Sequence, residues 1–364
     1  MLTAELDTPV LLVEQGRLER NLVRYAAIAR EAGVSLRPHV KTHKTLEIAR
    51  AQLEHGSPGI TVAKLSEAAV YVEAGFKDIF VAYPVVGEKK CQRAVELNRR
   101  ARVAVGADSV DGVRGLGRAA DAGGTTVEVL VELDSGLGRS GTSIEALERV
   151  CAEVMLHEQL RLEGVFTFRS TAFPGSSKMS VAEMGRWEGE LLVAAAESLR
   201  AEGFPIKTVS GGSTPTAASV VGVPGVTEVR PGTYVFHDLM TRADGACRTE
   251  DFALRVLTTV VSRPRASVAI VDAGSKTLAG DVEAGAASLR FFAETPDGRG
   301  RVTWLNEEHG ALELARGWSP ELGERVRLVP AHVCTVVNLA DELVLVDGEE
   351  VVETWRVAAR GCNR

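Results

Sequence analysis

Short runs of apolar and β-branched residues alternate with longer helical patterns over much of the chain. Eight of these runs read as strands: Val34–Val40, Gly59–Ala63, Asp78–Ala82, Arg102–Gly106, Val127–Leu133, Leu162–Phe168, Lys207–Ser210 and Thr227–Arg230. The helical patterns between them include Leu65–Gly75, Glu88–Arg100 and Val181–Glu202. This alternation predicts the α/β class and a TIM-type (β/α)₈ barrel, with chemistry at the carboxyl ends of the strands. The alternative is a doubly wound sheet, but no Gly-x-Gly-x-x-Gly follows the first strand.

The residue pattern changes after about Ala246. Short alternating runs separated by turn residues occur at Phe252–Val261, Ser267–Val271, Arg301–Leu305, Arg325–Leu328 and Glu342–Val346. They predict an antiparallel β domain, and the early run Pro9–Val13 is expected to pair into it. We therefore predict an N-terminal strand segment at 1–20, a barrel at 21–245 and a C-terminal β domain at 246–364.

Composition and charge argue against several classes of protein. The 364-residue chain has a formal net charge of −7, which argues against nucleic-acid binding. No apolar run approaches the roughly 20 residues of a membrane span, so no membrane partner is expected. The N-terminus has no basic stretch followed by an apolar one, which predicts no signal peptide. Five scattered cysteines suggest no disulfide framework and favour a cytoplasmic location.

Two lysines and two histidines cluster in Arg37–Lys44, at the end of the first predicted strand. A lysine at the mouth of a strand can be partly desolvated, and desolvation lowers its pKa. Such a lysine is a nucleophile that can form a Schiff base with an aldehyde. This segment alone leaves open the alternative of a solvated loop end.

A glycine-containing loop, Ser210–Thr216, follows the seventh predicted strand. Its glycines let backbone N–H groups approach an anion, a helix start would add a positive end, and Ser213 and Thr214 add hydroxyls. Barrels often bind phosphate after strand 7. We predict a phosphate site at Gly212, Ser213 and Thr214; an ordinary helix cap with a glycine turn is the alternative.

Two arginines also follow predicted strands. Arg230 ends the eighth strand in the segment Glu228–Tyr234, where it is expected to face the site. Arg139 stands in the glycine-rich loop Asp134–Gly141, where it could bind a phenolate oxygen or a carboxylate through two hydrogen bonds. An ion pair for Arg230 and a solvated loop for Arg139 remain open.

His332 and Cys334 form a His-x-Cys pair in the predicted β domain. On a strand, residues i and i+2 share a face, so the imidazole and the thiolate would converge. Both groups bind zinc readily. A catalytic metal would need further ligands from water, substrate or distant residues, with His309 as one further polar group, and simple packing is the alternative.

Taken in order, these motifs resemble the D-serine dehydratase and D-threonine aldolase family of fold-type III pyridoxal-phosphate (PLP) enzymes. The resemblance spans nearly the whole chain. It rests on Arg-Pro-His-x-Lys-Thr-His-Lys, Gly-Gly-Ser-Thr-Pro-Thr, Glu-Val-Arg-Pro-Gly-Thr-Tyr-Val-Phe, Asp-Ala-Gly-Ser-Lys at Asp272–Lys276, and Pro-x-His-x-Cys-x-x-Val-Asn-Leu at Pro330–Leu339. It implies an alanine racemase-like barrel with a C-terminal antiparallel β domain, usually as a homodimer.

The resemblance also implies roles for individual residues. Lys41, and not Lys44, would carry the cofactor, and Ser213 and Thr214 would surround its phosphate. Arg230 would stand beside the pyridine nitrogen. The remaining implied residues are Gly212, Arg139 and Tyr234 at the cofactor, and His332 and Cys334 as ligands of a divalent metal, zinc or alternatively manganese.

The activity implied is that of a lyase on a D-β-hydroxy-α-amino acid. We favour β-elimination to a 2-oxo acid and ammonia. The His-x-Cys pair looks like that of the dehydratases, whereas the following Thr335–Leu339 looks more like the aldolase sequences. Retro-aldol cleavage of D-threonine or D-3-hydroxyaspartate is the alternative, followed by a racemase or a non-enzymatic PLP carrier. The segment Thr167–Gly175 departs from the dehydratase pattern, and its Arg169 could bind a second substrate carboxylate.

Overall fold

The computed structural model describes residues 1–169, 171, 179–281 and 289–364. The chain divides into two compact units. The barrel unit comprises Tyr25–Lys41, Ala49–Gly232 and Cys362–Arg364, and the β unit comprises Met1–Arg24, Thr42–Ile48 and Thr233–Gly361. The boundaries predicted from the sequence, after residues 20 and 245, stay predictions.

Parallel strands build the sheet of the barrel unit. Numbered along the chain, they are β2 (Ser35–Leu36), β3 (Ile60–Val62), β4 (Asp78–Pro84), β5 (Arg102–Ala107), β6 (Val127–Glu132), β7 (Leu160–Phe166), β8 (Thr208–Gly211) and β9 (Glu228–Val229). Within the described residues these eight follow the order β2-β9-β8-β7-β6-β5-β4-β3. A parallel bridge between His39 and Thr61 joins the segment after β2 to β3. The eight predicted barrel strands are thereby confirmed.

One helix precedes β2, and helices follow most of these strands. They are α1 (Gln15–Glu31), α2 (Leu46–Glu54), α3 (Leu65–Glu73), α4 (Glu88–Asn98), α5 (Val110–Gly123), α6 (Ile144–Met155), α7 (Val181–Ala201) and α8 (Ala217–Val220). Local capping explains where two of them begin. The Ser109 hydroxyl accepts the Gly112 N–H at the start of α5, and Ser180 forms a capping box with Glu183 at the start of α7. The predicted helices are confirmed at α3, α4 and α7.

An aromatic layer fills the interior of the barrel sheet. Phe80 and Phe166 meet edge to face with ring centroids 5.1 Å apart, and they pack with Ala104 and Leu130. Gly106 makes room for this pair, because a Cβ there would lie 2.9 Å from the Phe166 ring. The polar side chains at the carboxyl end of β7 therefore stand above an apolar layer.

Mostly antiparallel strands build the β unit. They are β1 (Val10–Glu14), β10 (Leu254–Arg265), β11 (Val268–Val271), β12 (Ala293–Glu294), β13 (Gly300–Leu305), β14 (Gly310–Leu314), β15 (Arg325–Pro330), β16 (Glu342–Asp347) and β17 (Glu350–Arg356). Among the described residues, β10 to β15 close into a six-stranded barrel through the β10–β11 pairing. The predicted N-terminal strand pairs antiparallel with β10 and parallel with β16.

Short helices complete the β unit: α9 (Leu239–Ala243), α10 (Ser275–Leu278) and α11 (Val333–Leu339). All five cysteines lie in the described residues, and no disulfide joins any two of them. A search of the described ranges found no helix with the length and hydropathy needed to cross a bilayer.

Candidate active site

Lys41 and Lys44 have different surroundings although they are close in sequence. Lys41 is half-buried in a turn of 3₁₀ helix, with its Nζ atom 5.8 Å from the centroid of the Phe168 ring. Lys44 is buried in the β unit, and its Nζ donates a hydrogen bond to Asn338 Oδ1 at 2.7 Å. A positive φ of 53° accompanies this contact. The amine of Lys44 is therefore engaged by a protein side chain, and the choice of Lys41 as the cofactor lysine stays a prediction.

Arg139 approaches the same aromatic ring as Lys41. Its Cζ atom lies 4.6 Å from the centroid of Phe168, and its guanidinium is 3.9 Å from a carboxylate oxygen of Glu132. The guanidinium is half-exposed and can reorient toward an anionic ligand. Lys41 and Arg139 thus bring two cations to the end of β7, and their roles at a cofactor stay predictions.

Arg230 is buried in the barrel unit above the aromatic layer. Its Cζ atom lies 5.3 Å from the centroid of Phe166. One guanidinium nitrogen donates to the Ser210 hydroxyl, and the other donates to the Thr167 carbonyl at 2.7 Å. Burial lowers the pKa of Arg230, and nearby carboxylates, Glu228 first, act to raise it. A buried guanidinium in fixed orientation can present its remaining N–H groups to a ligand.

Two buried polar atoms near these cations have no hydrogen-bond partner among the described residues. One is Nδ1 of His39, and the other is Oε2 of Glu132. Burial lowers the pKa of His39 well below its ordinary value, and Lys41, Arg230 and Arg139 lower it further. Burial likewise raises the pKa of Glu132. Unpartnered buried groups beside three cations fit a site that accommodates a polar, anionic cofactor.

A buried carboxylate organises the predicted phosphate loop. Gly212, with a φ of 78°, donates its N–H to Glu188 Oε1 at 2.9 Å. The Ser213 N–H donates to Thr216 Oγ1 at 2.9 Å, and that hydroxyl donates to Glu188 Oε2 at 3.0 Å. Two backbone donors that we expected to serve an anion are therefore engaged by protein side chains, the Gly212 N–H by Glu188 of α7 and the Ser213 N–H by Thr216 of the loop.

The helix that follows this loop is short. Helix α8 is a single turn, so its dipole would add little to the binding of an anion. Thr214 is buried, and its carbonyl accepts the hydroxyl of Tyr25 at 3.0 Å. Tyr234 is buried in the β unit within the 3₁₀ turn Thr233–Val235. The phosphate site itself stays a prediction that rests on the hydroxyls and later amides of the loop.

His332 and Cys334 do not lie on a strand, contrary to the prediction. His332 is the N-cap residue of α11, and Cys334 lies in the first turn of that helix. The Val333 N–H donates to the buried Asp238 Oδ2 at 3.1 Å, and three valines of α11 are buried at helical spacing. These tertiary contacts outweigh the strand propensity of the β-branched run.

Asp281 contacts the His332 side chain. The Nδ1 atom of His332 lies 3.0 Å from Asp281 Oδ2. Burial alone lowers the pKa of His332, but Cys334 and Asp281 raise it to about 11. Asp281 also accepts the Thr335 hydroxyl at 2.7 Å. Asp281 therefore fixes the orientation of the ring, and the role of His332 as a metal ligand stays a prediction.

The donor set fits an open metal site better than a closed one. Across the described ranges, no group of three or more His, Cys, Asp or Glu side chains is arranged to hold a metal ion. Cys334 Sγ lies 3.3 Å from the Thr42 hydroxyl and 4.0 Å from the Thr233 hydroxyl. A catalytic zinc usually has three protein ligands and one open position, so these two side chains would need a further ligand and the metal site stays a prediction. His309, the further polar group considered from the sequence, is exposed.

Arg169 has contacts within the barrel unit. Its guanidinium donates to the Ser135 carbonyl and stacks at 4.2 Å on the ring of Trp187 in α7. Residues 170 and 172–175 of the departing segment lie outside the described residues. Binding of a second carboxylate by Arg169 stays a prediction.

Two family descriptions match the chain in succession. Residues 13–239 match the alanine racemase N-terminal domain, and residues 253–346 match a serine dehydratase domain. This chain belongs to the alanine racemase N-terminal domain family. The fold is alanine racemase-like, and the predicted membership of the fold-type III PLP enzymes is confirmed.

Relatives of this family member include lyases of two kinds. D-threo-3-hydroxyaspartate dehydratase of Delftia sp. strain HT23 is 35% identical over 96% of this chain and 97% of its own. D-threonine aldolase of an Arthrobacter species is 36% identical over 99% of this chain and 94% of its own. A mutant of D-threo-3-hydroxyaspartate dehydratase, solved in a metal-free form, superposes with a TM-score of 0.87 and is 33% identical, covering 98% of each chain.

Proposed function

We propose that this protein is a PLP- and divalent-metal-dependent lyase that acts on D-β-hydroxy-α-amino acids. The observation that carries the proposal is the gathering of Lys41, Arg139 and Arg230 around the Phe166–Phe168 end of β7. Family membership supplies the context, because relatives along the full length act on substrates of this class. The favoured reaction is β-elimination, which converts one hydroxy amino acid into one 2-oxo acid and one ammonia.

Seven residues would hold PLP: Lys41, Arg139, Gly212, Ser213, Thr214, Arg230 and Tyr234. When bound, PLP supplies an electron sink for negative charge at the substrate Cα. Lys41 would be the amine that holds the cofactor aldehyde and would then serve as the base for the substrate Cα proton. Arg139 would orient a phenolate oxygen or a substrate carboxylate. Arg230 would offer N–H groups to the ring nitrogen, and the ring would then be a moderate electron acceptor.

His332 and Cys334 would hold the metal, and we propose zinc because thiolate and imidazole suit it, with manganese as the alternative. A bound divalent cation would act as a Lewis acid on the substrate hydroxyl. This activation would compensate for the moderate electron withdrawal by the PLP ring. Asp281 fixes the His332 ring through Nδ1. This part of the proposal is supported by the metal-free form named for the dehydratase mutant.

Retro-aldol cleavage is the second candidate. The observation that favours it is the 36% identity with D-threonine aldolase. The His-x-Cys pair favours elimination, by its likeness to the dehydratases. In this proposal both reactions use a metal at the β-hydroxyl. Elimination breaks the Cβ–O bond, whereas retro-aldol cleavage breaks the Cα–Cβ bond.

We further propose a homodimer, by analogy with the fold, and a cytoplasmic enzyme, since none of the five cysteines is in a disulfide. The expected partners are small D-amino acids, and neither nucleic acid nor membrane.

A product assay tests the proposed function. The holoenzyme is incubated with D-serine, D-threonine and D-3-hydroxyaspartate, with and without added zinc or manganese, and oxo acid, ammonia and aldehyde are measured separately. We expect oxo acid and ammonia in equal amounts, and loss of turnover after EDTA treatment while the visible absorbance of bound PLP persists. Aldehyde formation would support the second candidate. Turnover at the untreated rate by metal-free enzyme would overturn the role of the metal.

A further inference from the structure

Four buried polar side chains form a continuous chain beneath the candidate active site. Arg230 donates to the Ser210 hydroxyl, Ser210 donates to Glu228 Oε1 at 2.7 Å, and Glu228 Oε2 accepts from Arg37 Nε at 2.6 Å. Each of the four residues is at most 7% exposed. All of them lie in the barrel unit.

Arg37, at the other end of this hydrogen-bonded series, is held by residues at the starts of β4 and β5. Arg37 also donates to Asp78 at 2.7 Å, and Asp78 is paired with Arg102. Gly59 leaves room for the Arg37 side chain, because a Cβ on Gly59 would lie 2.4 Å from the Arg37 guanidinium. Glu228 is thus held in place by Arg37 and has one carboxylate oxygen for Ser210.

The direction of the hydrogen bonds is fixed by chemistry. A carboxylate without a proton can only accept, so the Ser210 hydroxyl must give its single proton to Glu228. Its oxygen then offers only lone pairs, and Arg230 must be the donor on the other side. Together with the Thr167 carbonyl, this arrangement fixes the plane of the guanidinium and uses two of its five N–H groups among the described residues.

We propose that Glu228 is a positioning residue that acts through Ser210 to hold Arg230 as an N–H donor toward the cofactor ring. This rests on the proposed function, which assigns Arg230 to PLP. Glu228 also supplies the negative charge that offsets the buried guanidinium across the serine hydroxyl. These hydrogen bonds would determine how firmly the ring nitrogen of PLP is kept unprotonated. They would therefore also determine how strongly the ring withdraws electrons from the substrate.

Two variants break the chain at different points. Ser210→Ala removes the hydroxyl but leaves the Glu228–Arg37 ion pair in place, and Glu228→Gln removes the charge. Ser210→Ala loses a hydrogen bond to a charged group, and Glu228→Gln leaves only a neutral acceptor for Ser210, so we expect the PLP dissociation constant to rise roughly tenfold or more in each variant. The visible absorbance of bound PLP should also become dependent on pH in the variants, whereas we expect that of the wild type to stay constant over the same pH range.

Glu128→Gln is the matched control. Glu128 lies on β6 and pairs with Arg102 in the same ion network, but it does not bond to Ser210. This variant should lose comparable stability and leave both the PLP dissociation constant and the pH profile unchanged. A purely structural role for Glu228 predicts that Glu128→Gln and Glu228→Gln behave alike.

A double-mutant cycle completes the test. If Glu228 acts through Ser210, the double variant should bind PLP no more weakly than the more affected single variant. Additive effects, or a wild-type dissociation constant and pH profile for Ser210→Ala, would overturn the inference. Borohydride labelling of Lys41 is run on the same samples. Wild-type enzyme that takes no label would refute the proposed function, and this outcome is distinct from failure of the role proposed for Glu228.

Discussion

Asp281 is the residue that most sharply tests the candidate metal site. It contacts His332 and Thr335 through different oxygens, at 3.0 and 2.7 Å. Asp281→Ala removes the acceptor that orients the ring, so we expect metal affinity to fall about 10- to 100-fold. Asp281→Asn keeps one acceptor oxygen and should lose less. Affinity is measured by titrating apo-enzyme with zinc in the presence of a competing chelator.

Asp341→Asn serves as the control for this prediction. Asp341 is an exposed aspartate that pairs with Arg360, outside the contacts of α11 described above. Its variant should bind zinc like the wild type. If Asp281→Ala also binds zinc like the wild type, His332 is not held for a metal in the way the geometry indicates.

Individual residues were predictable from sequence where a local motif surrounds them. Lys41, Arg139 and Arg230 follow strands within recognisable segments, and the structure brings all three to one end of the barrel. Glu188 and Asp281 were missed because their partners are distant, 24 residues away at Gly212 and 51 residues away at His332. Nothing in the residues beside a single acidic side chain reports such a contact.

At the scale of elements, the loop after β8 is the most sensitive segment. Gly212 has a φ of 78°, and a Cβ there would lie 3.1 Å from Val229 Cγ1. Gly212→Ala should cost about 1–2 kcal/mol of stability, because an L-residue is strained at positive φ. It should also displace the loop and raise the PLP dissociation constant, measured by quenching of tryptophan fluorescence.

Gly203→Ala separates strain from loop displacement. Gly203 follows α7 with a φ of 90°, and a Cβ there would meet nothing within 4 Å. This control should lose similar stability and bind PLP normally. Equal PLP affinity in the two variants would show that the loop does not contact the cofactor.

Elements were predictable when burial and propensity agree. Most of the eight barrel strands contain buried apolar residues, many of them β-branched, and each overlaps a run predicted from the sequence. The segment after β15 was mistaken because Val333, Thr335 and Val336 read as strand, whereas α11 is fixed by the carboxylate of Asp238. Asp238 lies 95 residues away from Val333, so the sequence around α11 gives no sign of it.

At the scale of the whole molecule, two histidines that burial holds neutral should each contribute a loss of stability as the pH falls. Burial lowers the pKa of His237 from 6.5 to about 4, and His39 is shifted in the same direction. The unfolded chain therefore binds more protons than the folded one between these values. For His237 alone the stability lost from above pH 6.5 down to pH 4 is about 3 kcal/mol.

Urea unfolding of the apo-enzyme across this pH range measures the effect. His237→Asn keeps a residue that tolerates the φ of 52° and removes the titrating group, so its stability should depend less on pH. His309→Asn, at an exposed histidine, should keep the wild-type dependence. Parallel pH profiles for wild type and His237→Asn would contradict the assignment of a neutral buried imidazole.

The central claim is that Lys41 carries PLP, and borohydride reduction followed by peptide mapping measures it most directly. The account predicts a pyridoxyl group on the peptide that contains Lys41, lost in Lys41→Ala and retained in Lys44→Ala. Lys44 is engaged by Asn338 and should stay unmodified. A label on Lys44, Lys64 or Lys276, or no label at all on wild-type holoenzyme, would contradict the account.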